Sequence, residues 1–438
     1  MASIPYESTK QKFYVLNRRR IFGIIYLVLG LFLIYIAFNG IDAKMISTLS
    51  LGGVGNIPIS SRIGLIALGV IMIASCLLSW LVEIKERYIL TLVGMNFAIL
   101  IFATLFWGAA GKSIDLLGMI RDSIRLSTPI ALGAMAGLWC ERTGVVNIAI
   151  EGMMLTAAGI GFAISLYSQN MWFGLLAAVI ASGCMAAIHA VLSIRFKVDQ
   201  VISGTAINVL AVGVTGFVRR LFLLNNPYGA PGVFPYVFAD KDSGLSAIGL
   251  GAINDFIVKL PIIGYLLKLQ PMVYTMFLLV ILSHLVLNYT PWGLRTRSVG
   301  EHPRAADTLG INVFKMRYVN VIIAGLIAGL GGAWFSLETT GSFEDLMTNG
   351  KGYIALAALI FGKWNPIGAF LAALLFGFSD ALQFKLQILE VKLPIVNTLI
   401  PYQFEGMLPY IVTMIALAGV IGRSIAPAAD GKPYEKEG

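Results

Sequence analysis

The chain predicts an all-α fold, a polytopic transmembrane helical bundle with discontinuous helices, and three observations carry that prediction. Hydrophobic residues make up 58% of the chain and charged residues 13%, with mean hydropathy +0.82, so there is too little charge to cover a soluble surface. Apolar runs near the ~20 residues needed to cross the hydrocarbon core recur along the sequence. Several others are shorter and broken by Gly or Pro, the mark of helices whose ends face a cavity rather than lipid. The net charge of +9 does not point to nucleic acid, because the basic residues flank apolar runs in the manner of positive-inside bias.

Arg18, Arg19 and Arg20 precede the first run, Ile21–Phe38. That run is longer than a signal-peptide core, and Phe38-Asn39-Gly40-Ile41-Asp42 offers no small-x-small cleavage site, so it is expected to stay as an anchor. Ile63–Val82 and Tyr88–Ala110 follow, separated by the charged turn Glu83–Arg87. Residues 112–126, with Lys112, Asp115, Arg121, Asp122 and Arg125, are expected to lie along a membrane interface. We therefore divide the chain into an accessory bundle at 1–110, a working unit at 115–425 and a polar C-terminal tail at 426–438.

The working unit holds the runs Thr128–Cys140, Asn147–Leu166, Met171–Ile194, Val201–Leu224, Pro271–Leu287, Tyr318–Leu337, Tyr353–Phe361, Ile367–Leu382 and Gly406–Ile421. Thr128–Cys140 stops at Glu141-Arg142-Thr143-Gly144, and Tyr353–Phe361 stops at Gly362-Lys363-Trp364-Asn365-Pro366. About 10–12 membrane segments result, with both termini cytoplasmic if Lys and Arg set the orientation. Arg219 and Arg220 then fall on the outer side, against the rule. The external loop spans 225–270, with a surface helix near 254–268.

Polar groups embedded in apolar segments mark candidate functional residues. Asn147 and Glu151 are four apart, so both side chains are expected on one helix face. A carboxylate in hydrocarbon either faces a wet path or bonds a neighbouring helix, and both readings of Glu151 stand. Glu141 reads equally as an interfacial partner of Arg142. In the stretch from Asp199 to Asn208, Ser203 and Thr205 suit backbone bonding one turn back. Asn208 suits either a ligand or a helix–helix hydrogen bond.

Pro291–Arg317 is a basic polar segment between two apolar runs, longer than a chain reversal needs. It holds Glu301-His302-Pro303-Arg304, followed by Ala305 and Ala306. Pro303 can open a short helix and Gly310 can end it. A capped helix at the membrane face is a handle for another protein. Cys76, Cys140 and Cys184 lie in apolar segments as packing residues, and His189, His284 and His302 have no second ligand at metal spacing. With no Walker A, HExxH or nucleophile elbow, no catalytic residue and no metal site is assigned.

Three stretches together resemble the membrane permease subunits of bacterial ABC importers, in the group for branched-chain amino acids, ribose-type sugars and nucleosides. They are ERTGVVNIAIEGMM at 141–154, GLRTRSVGEHPRAADTLGINV at 293–313 and KGYIALAALIFGKWNPIGA at 351–369. Glu151 and LIPYQFEGMLPY at 399–410 make the nucleoside (or simple-sugar) permeases the nearest subgroup. The first 110 residues depart from the family's compact form.

The resemblance implies a multi-pass protein of the bacterial plasma (inner) membrane that works with a second permease, homologous or identical. It further implies a cytoplasmic ABC ATPase holding ATP and Mg, and an extracytoplasmic substrate-binding protein; no cofactor is expected in this chain. It places Asn147, Glu151, Ser203 and Asn208 along the substrate path. Gly300, Glu301, Pro303, Arg304, Ala305, Ala306 and Gly310 would then meet the ATPase. The competing readings are a proton-coupled secondary transporter using Glu151, and a membrane scaffold.

Overall fold

The computed structural model describes residues 18–52, 55–82, 86–224, 226–239, 249, 251–390, 401–407, 410, 411, 414 and 424–436. Most of the expected run Gly406–Ile421, the start of the Glu83–Arg87 turn and residues 240–248 of the expected external loop lie outside them. The described residues form an all-α membrane bundle with one small sheet, and nine of their helices are long and apolar enough to cross a membrane. The chain divides into two compact units.

The first unit comprises 1–50, 56–114 and 386–405. It contains α1 (Arg18–Asn39), α2 (Ser61–Leu81) and α3 (Glu86–Gly108). Helices α1 and α2 approach through small residues: a Cβ on either Gly30 or Gly69 would sit 2.8 Å from the other's carbonyl oxygen. Outward positions such as Val28, Leu31 and Ile71 are apolar and exposed, as lipid-facing residues should be. Unlike the purely helical expectation, β1 (Ile46–Ser50) pairs antiparallel with β2 (Asn56–Ser60), Ile46 opposite Ser60. A third short strand, β3 (Ser113–Asp115), joins the far side of β1. Buried Ser47 locks this sheet by bonding Ser61 Oγ at 2.8 Å and donating to Ala109 O at 2.9 Å.

The second unit comprises 51–55, 115–385 and 406–438. Helix α4 (Leu116–Glu141) is continuous across Pro129, with the Asp115 side chain capping Gly118 N at 2.8 Å. Residues 116–126 are therefore the first turns of α4, not a separate interfacial segment, and Thr128–Cys140 is not a short helix. Tertiary burial of α4 overrides its local polarity. There follow α5 (Ile150–Ser168), α6 (Met171–Ala190) with a π turn at Val191–Arg195, and α7 (Gln200–Val218) with a π turn at Arg219–Leu223. Two short helices, α8 (Gly251–Val258) and α9 (Pro261–Leu266), occupy the expected surface-helix region.

Next come α10 (Pro271–Tyr289), α11 (Pro291–Glu301), α12 (Pro303–Thr308) and α13 (Val313–Ala333), which runs into a π segment at Trp334–Thr340. Short α14 (Lys351–Phe361) and α15 (Pro366–Leu389) form the expected Gly-interrupted pair, and α16 (Tyr402–Glu405) is a single turn. Helices α5 and α13 are the central pillars, 78% and 67% buried along their spans. Gly331 and Gly332 of GLGGAW bring them together: a Cβ on Gly332 would lie 2.1 Å from Met154 O. No larger residue fits there without moving a backbone.

Candidate functional site

Between α4 and α5 the chain unwinds. Gly144 takes φ +81°, and no helix resumes until Ile150. Asn147 therefore lies in the unwound stretch and does not share a helix face with Glu151, which is in the first turn of α5. Irregular backbone inside a membrane needs partners for each N–H and C=O, and here side chains supply them. Val146 N donates to Gln200 Oε1 at 2.6 Å, and His189 Nε2 lies 3.0 Å from Val146 O. Asn208 accepts from Gly152 N at 2.8 Å and donates to Ile148 O at 3.0 Å. Glu141 accepts from the Asn147 backbone.

Ser203 belongs to this stitching. Its hydroxyl is 3.0 Å from His189 Nδ1, and both residues are buried. Asn147 has 0% exposure, its amide donating to Met153 Sδ at 3.9 Å while its own oxygen has no partner. Glu141 does not pair with Arg142; both hold Trp364 instead. Trp364 Nε1 donates to Glu141 Oε2 at 2.6 Å, and the Arg142 guanidinium donates twice to Trp364 O, at 2.9 and 2.6 Å. They fix the turn between α14 and α15.

Glu151 is a helix cap. Its Oε1 accepts from Thr348 Oγ1 at 2.7 Å and Gly350 N at 2.8 Å, and its Oε2 accepts from Gly352 N at 2.7 Å. The carboxylate thus covers the N-terminus of α14, where free N–H groups and the helix dipole favour an anion. Three charge-assisted bonds explain how the membrane tolerates it. Just beyond, Lys351 pairs with Asp380 of α15 at 2.5 Å.

Glu151 and Asn208 line a cleft of about 360 Å³ with Gly152, Leu155, Thr205, Val209, Val212, Leu346, Asn349, Gly350 and Tyr353. Tyr353 accepts from Asn208 at 3.0 Å. Its lining combines apolar Leu155, Val209, Val212 and Leu346 with polar Thr205, Asn349 and Tyr353. Asn147 and Ser203 do not line it. Sequence reasoning gave no site role to Tyr353, Asn349 or His189; the Asn349-Gly350 dipeptide, a turn signal, was the cue available for the second, and Asn349 takes the left-handed φ of +45° here.

The 291–317 segment forms two helices. Thr290 Oγ1 caps α11 from Gly293 N, Pro303 opens α12, and Gly310 at φ +81° follows its end. Gly300 is obligatory, since a Cβ there would be 2.2 Å from Arg142 O. Glu301, Arg304 and Ala305 are exposed. Ala306 is not: it is buried against Val299, Val313, Met316 and Tyr434, because one face of so short a helix must rest on the bundle. Leu309, 81% exposed, takes the outward apolar place instead. Residues 301–305 and part of 428–435 together line a cleft of about 620 Å³.

Residues 119–417 match the family described as branched-chain amino acid transport system / permease component. The chain belongs to this family. It is a multi-pass membrane permease of the bacterial inner-membrane type, and the family is one of transport components that act with other subunits. The permease is 42% identical to the guanosine ABC transporter permease protein NupQ of Bacillus subtilis, over 73% of this chain and 96% of that one. It is 34% identical to the nucleoside ABC transporter permease protein NupC of Lactococcus lactis, over 73% and 96%. TsgC13 of Haloferax volcanii, provisionally named a glucose ABC transporter permease, is 32% identical over 73% and 98%. No solved structure matches the chain.

Proposed function

We propose that this permease forms half of the translocation path for nucleosides in an ATP-driven importer. The supporting observation is the 360 Å³ cleft on α5, α7 and α14. A nucleoside is uncharged, with a flat base and a hydroxyl-bearing ribose. It needs apolar walls and hydrogen-bonding groups without a bare charge, and this cleft provides that pattern. Glu151 is already committed to three protein donors, so it presents little free charge. Asn349, Tyr353 and Thr205 are the proposed contacts, with Asn208 behind Tyr353; Asn147 and Ser203 act one layer deeper, holding the unwound stretch. The cleft is open beside exposed Val209 and Leu346, where a second permease, similar or identical, closes it.

ATP hydrolysis belongs to a separate cytoplasmic ATPase, and an extracytoplasmic binding protein delivers substrate. Helix α12, with Pro303, Arg304 and Ala305 and the flanking Glu301 and Gly310, is the coupling element; buried Gly300 and Ala306 seat it and Leu309 adds an apolar anchor. Both termini are cytoplasmic, and about 10–12 segments cross the membrane. Residues 1–110 are an accessory bundle, residues 115–425 the working unit and residues 426–438 a polar tail. A simple sugar is the second substrate class, favoured by the likeness to TsgC13. The proton-coupled reading loses its support because the Glu151 carboxylate works as a cap.

The test is uptake of radiolabelled guanosine, uridine and ribose by proteoliposomes holding the purified complex and its binding protein. ATP-dependent nucleoside uptake that vanishes without the ATPase is expected. Uptake that persists without it and follows a proton gradient would refute the proposal.

A further inference from the structure

Three stretches of main chain meet where α11 ends. A Cβ on Gly300 would lie 2.2 Å from Arg142 O, and one on Gly144 would lie 2.8 Å from Ala429 O. Ala429 N closes the triangle by donating to Gly300 O at 2.9 Å. Two glycines thus let the α4–α5 turn, the α11–α12 corner and the 424–436 segment touch backbone to backbone. Side chains secure the junction. Buried Arg317 donates to Thr143 O and Lys432 O, both at 3.1 Å, so it spans the same two stretches. Ala428 N donates to the Glu301 carboxylate at 3.2 Å, and the Tyr434 ring packs 5.3 Å from Phe314. Lys197 pairs with Glu435 at 2.5 Å.

A tail needed only for solubility would be solvated, and this one is fastened at both backbone and side chain. Its attachments converge on the corner that carries α12 and on the turn that leads to Val146, Asn147 and the Glu151 cap. We infer that residues 427–435 are a positioning element, a clasp that locks the α11–α12 corner to the Arg142–Gly144 turn and so delivers movement of α12 to the substrate cleft. The inference rests on α12 being the ATPase-coupling helix. Without the clasp, α12 can still dock, but its displacement is taken up by slack at Gly300.

The experiment uses the full complex in proteoliposomes, reading basal ATP hydrolysis, its stimulation by loaded binding protein, and uptake. Ala429→Pro deletes the donor to Gly300, and Tyr434→Ala removes the ring from Phe314. Both are expected to assemble with the ATPase and keep basal hydrolysis, while uptake falls about tenfold and stimulation is lost, a difference of about 1.4 kcal/mol in coupling. Tyr434→Phe, which keeps the ring on Phe314, is expected to lose less of both. If Ala429→Pro does not fold, Lys197→Glu is expected to lower stimulation, and adding Glu435→Lys to recover it. Intact stimulation and uptake in assembled Tyr434→Ala, or parallel loss of assembly, basal hydrolysis and uptake, would overturn the clasp. Failure of the unmodified permease to bind or stimulate an ATPase would instead defeat the coupling-helix reading.

Discussion

The unwound stretch at 142–149 and the α11–α12 corner solve opposite problems with opposite means. In the first, backbone groups that no helix satisfies are taken up by Gln200, His189, Asn208 and Glu141. In the second, Gly300 and Gly144 let backbones meet directly, Arg317 and the Glu301 carboxylate bond across the junction, and Ala305 and Leu309 are left exposed. In a medium without water, polar side chains are used up keeping the main chain satisfied. At the corner, small residues bring main chains into contact and polar side chains tie one segment to another. A polar residue inside a membrane span is therefore a weaker sign of substrate contact than its cost suggests.

The contrast breaks most visibly at Glu151. Glu151→Ala strands Thr348 Oγ1 and two backbone N–H groups, and is expected to destabilise the protein by about 3 kcal/mol or more. Glu151→Gln keeps acceptor oxygen on one side only and should lose less. Thermal unfolding in detergent checks both, and equal melting temperatures for Glu151→Ala and the parent would remove the cap. The next effect is at the corner: Gly300→Ala forces a Cβ into Arg142 O and is expected to abolish uptake while the bundle remains folded. Leu309→Asp comes after that, weakening ATPase recovery on an affinity column without changing the melting temperature; undiminished recovery would take Leu309 out of the interface.

The smallest expected effect is of pH. Burial pushes the Asp430 carboxyl from its ordinary 3.8 up to about 7, against the Gly431 N–H and the Arg317 guanidinium, which pull it down. Glu141 and Arg317 are the charged groups around it. A raised carboxyl means the docked segment holds more protons than the released one between about pH 4 and about pH 7, so docking weakens as pH rises through that window. Amide exchange of residues 427–435, corrected for intrinsic rate, should show less protection at pH 8 than at pH 6. Asp430→Asn is expected to flatten the difference, and an unchanged slope would separate Asp430 from docking.

Much of this architecture is legible in the sequence. Apolar runs mark the spans, Pro303 and Gly310 bracket α12, and the short run before Gly362 marks α14. The 46–60 hairpin is less visible, because its strands, ISTLS and NIPIS, are short and sit between strong helical patterns. The extent of α4 is hidden for the opposite reason: burial makes a helix of a stretch whose charges suggest an interface. For the site, residue type was a good guide and role was not. Asn147, Ser203 and Asn208 all belong to one polar network, yet only Asn208 lines the cleft. Sequence spacing assumed helix through 147, and the unwinding at Gly144 changed which way each side chain serves. Tyr353 and Asn349 needed the fold, since 197 residues separate Glu151 from Thr348.

The most direct test of this account sets a cleft residue against a stitching residue. Nucleoside uptake kinetics and melting temperature would be measured together for Asn349→Ala and Asn147→Leu in the reconstituted complex. The account predicts that Asn349→Ala raises KM by about tenfold, the loss of roughly one hydrogen bond, with an unchanged melting temperature. It predicts that Asn147→Leu shifts the melting temperature and leaves KM alone. The reverse pattern, with KM moved by Asn147→Leu and not by Asn349→Ala, would contradict it and put the substrate on the unwound stretch itself.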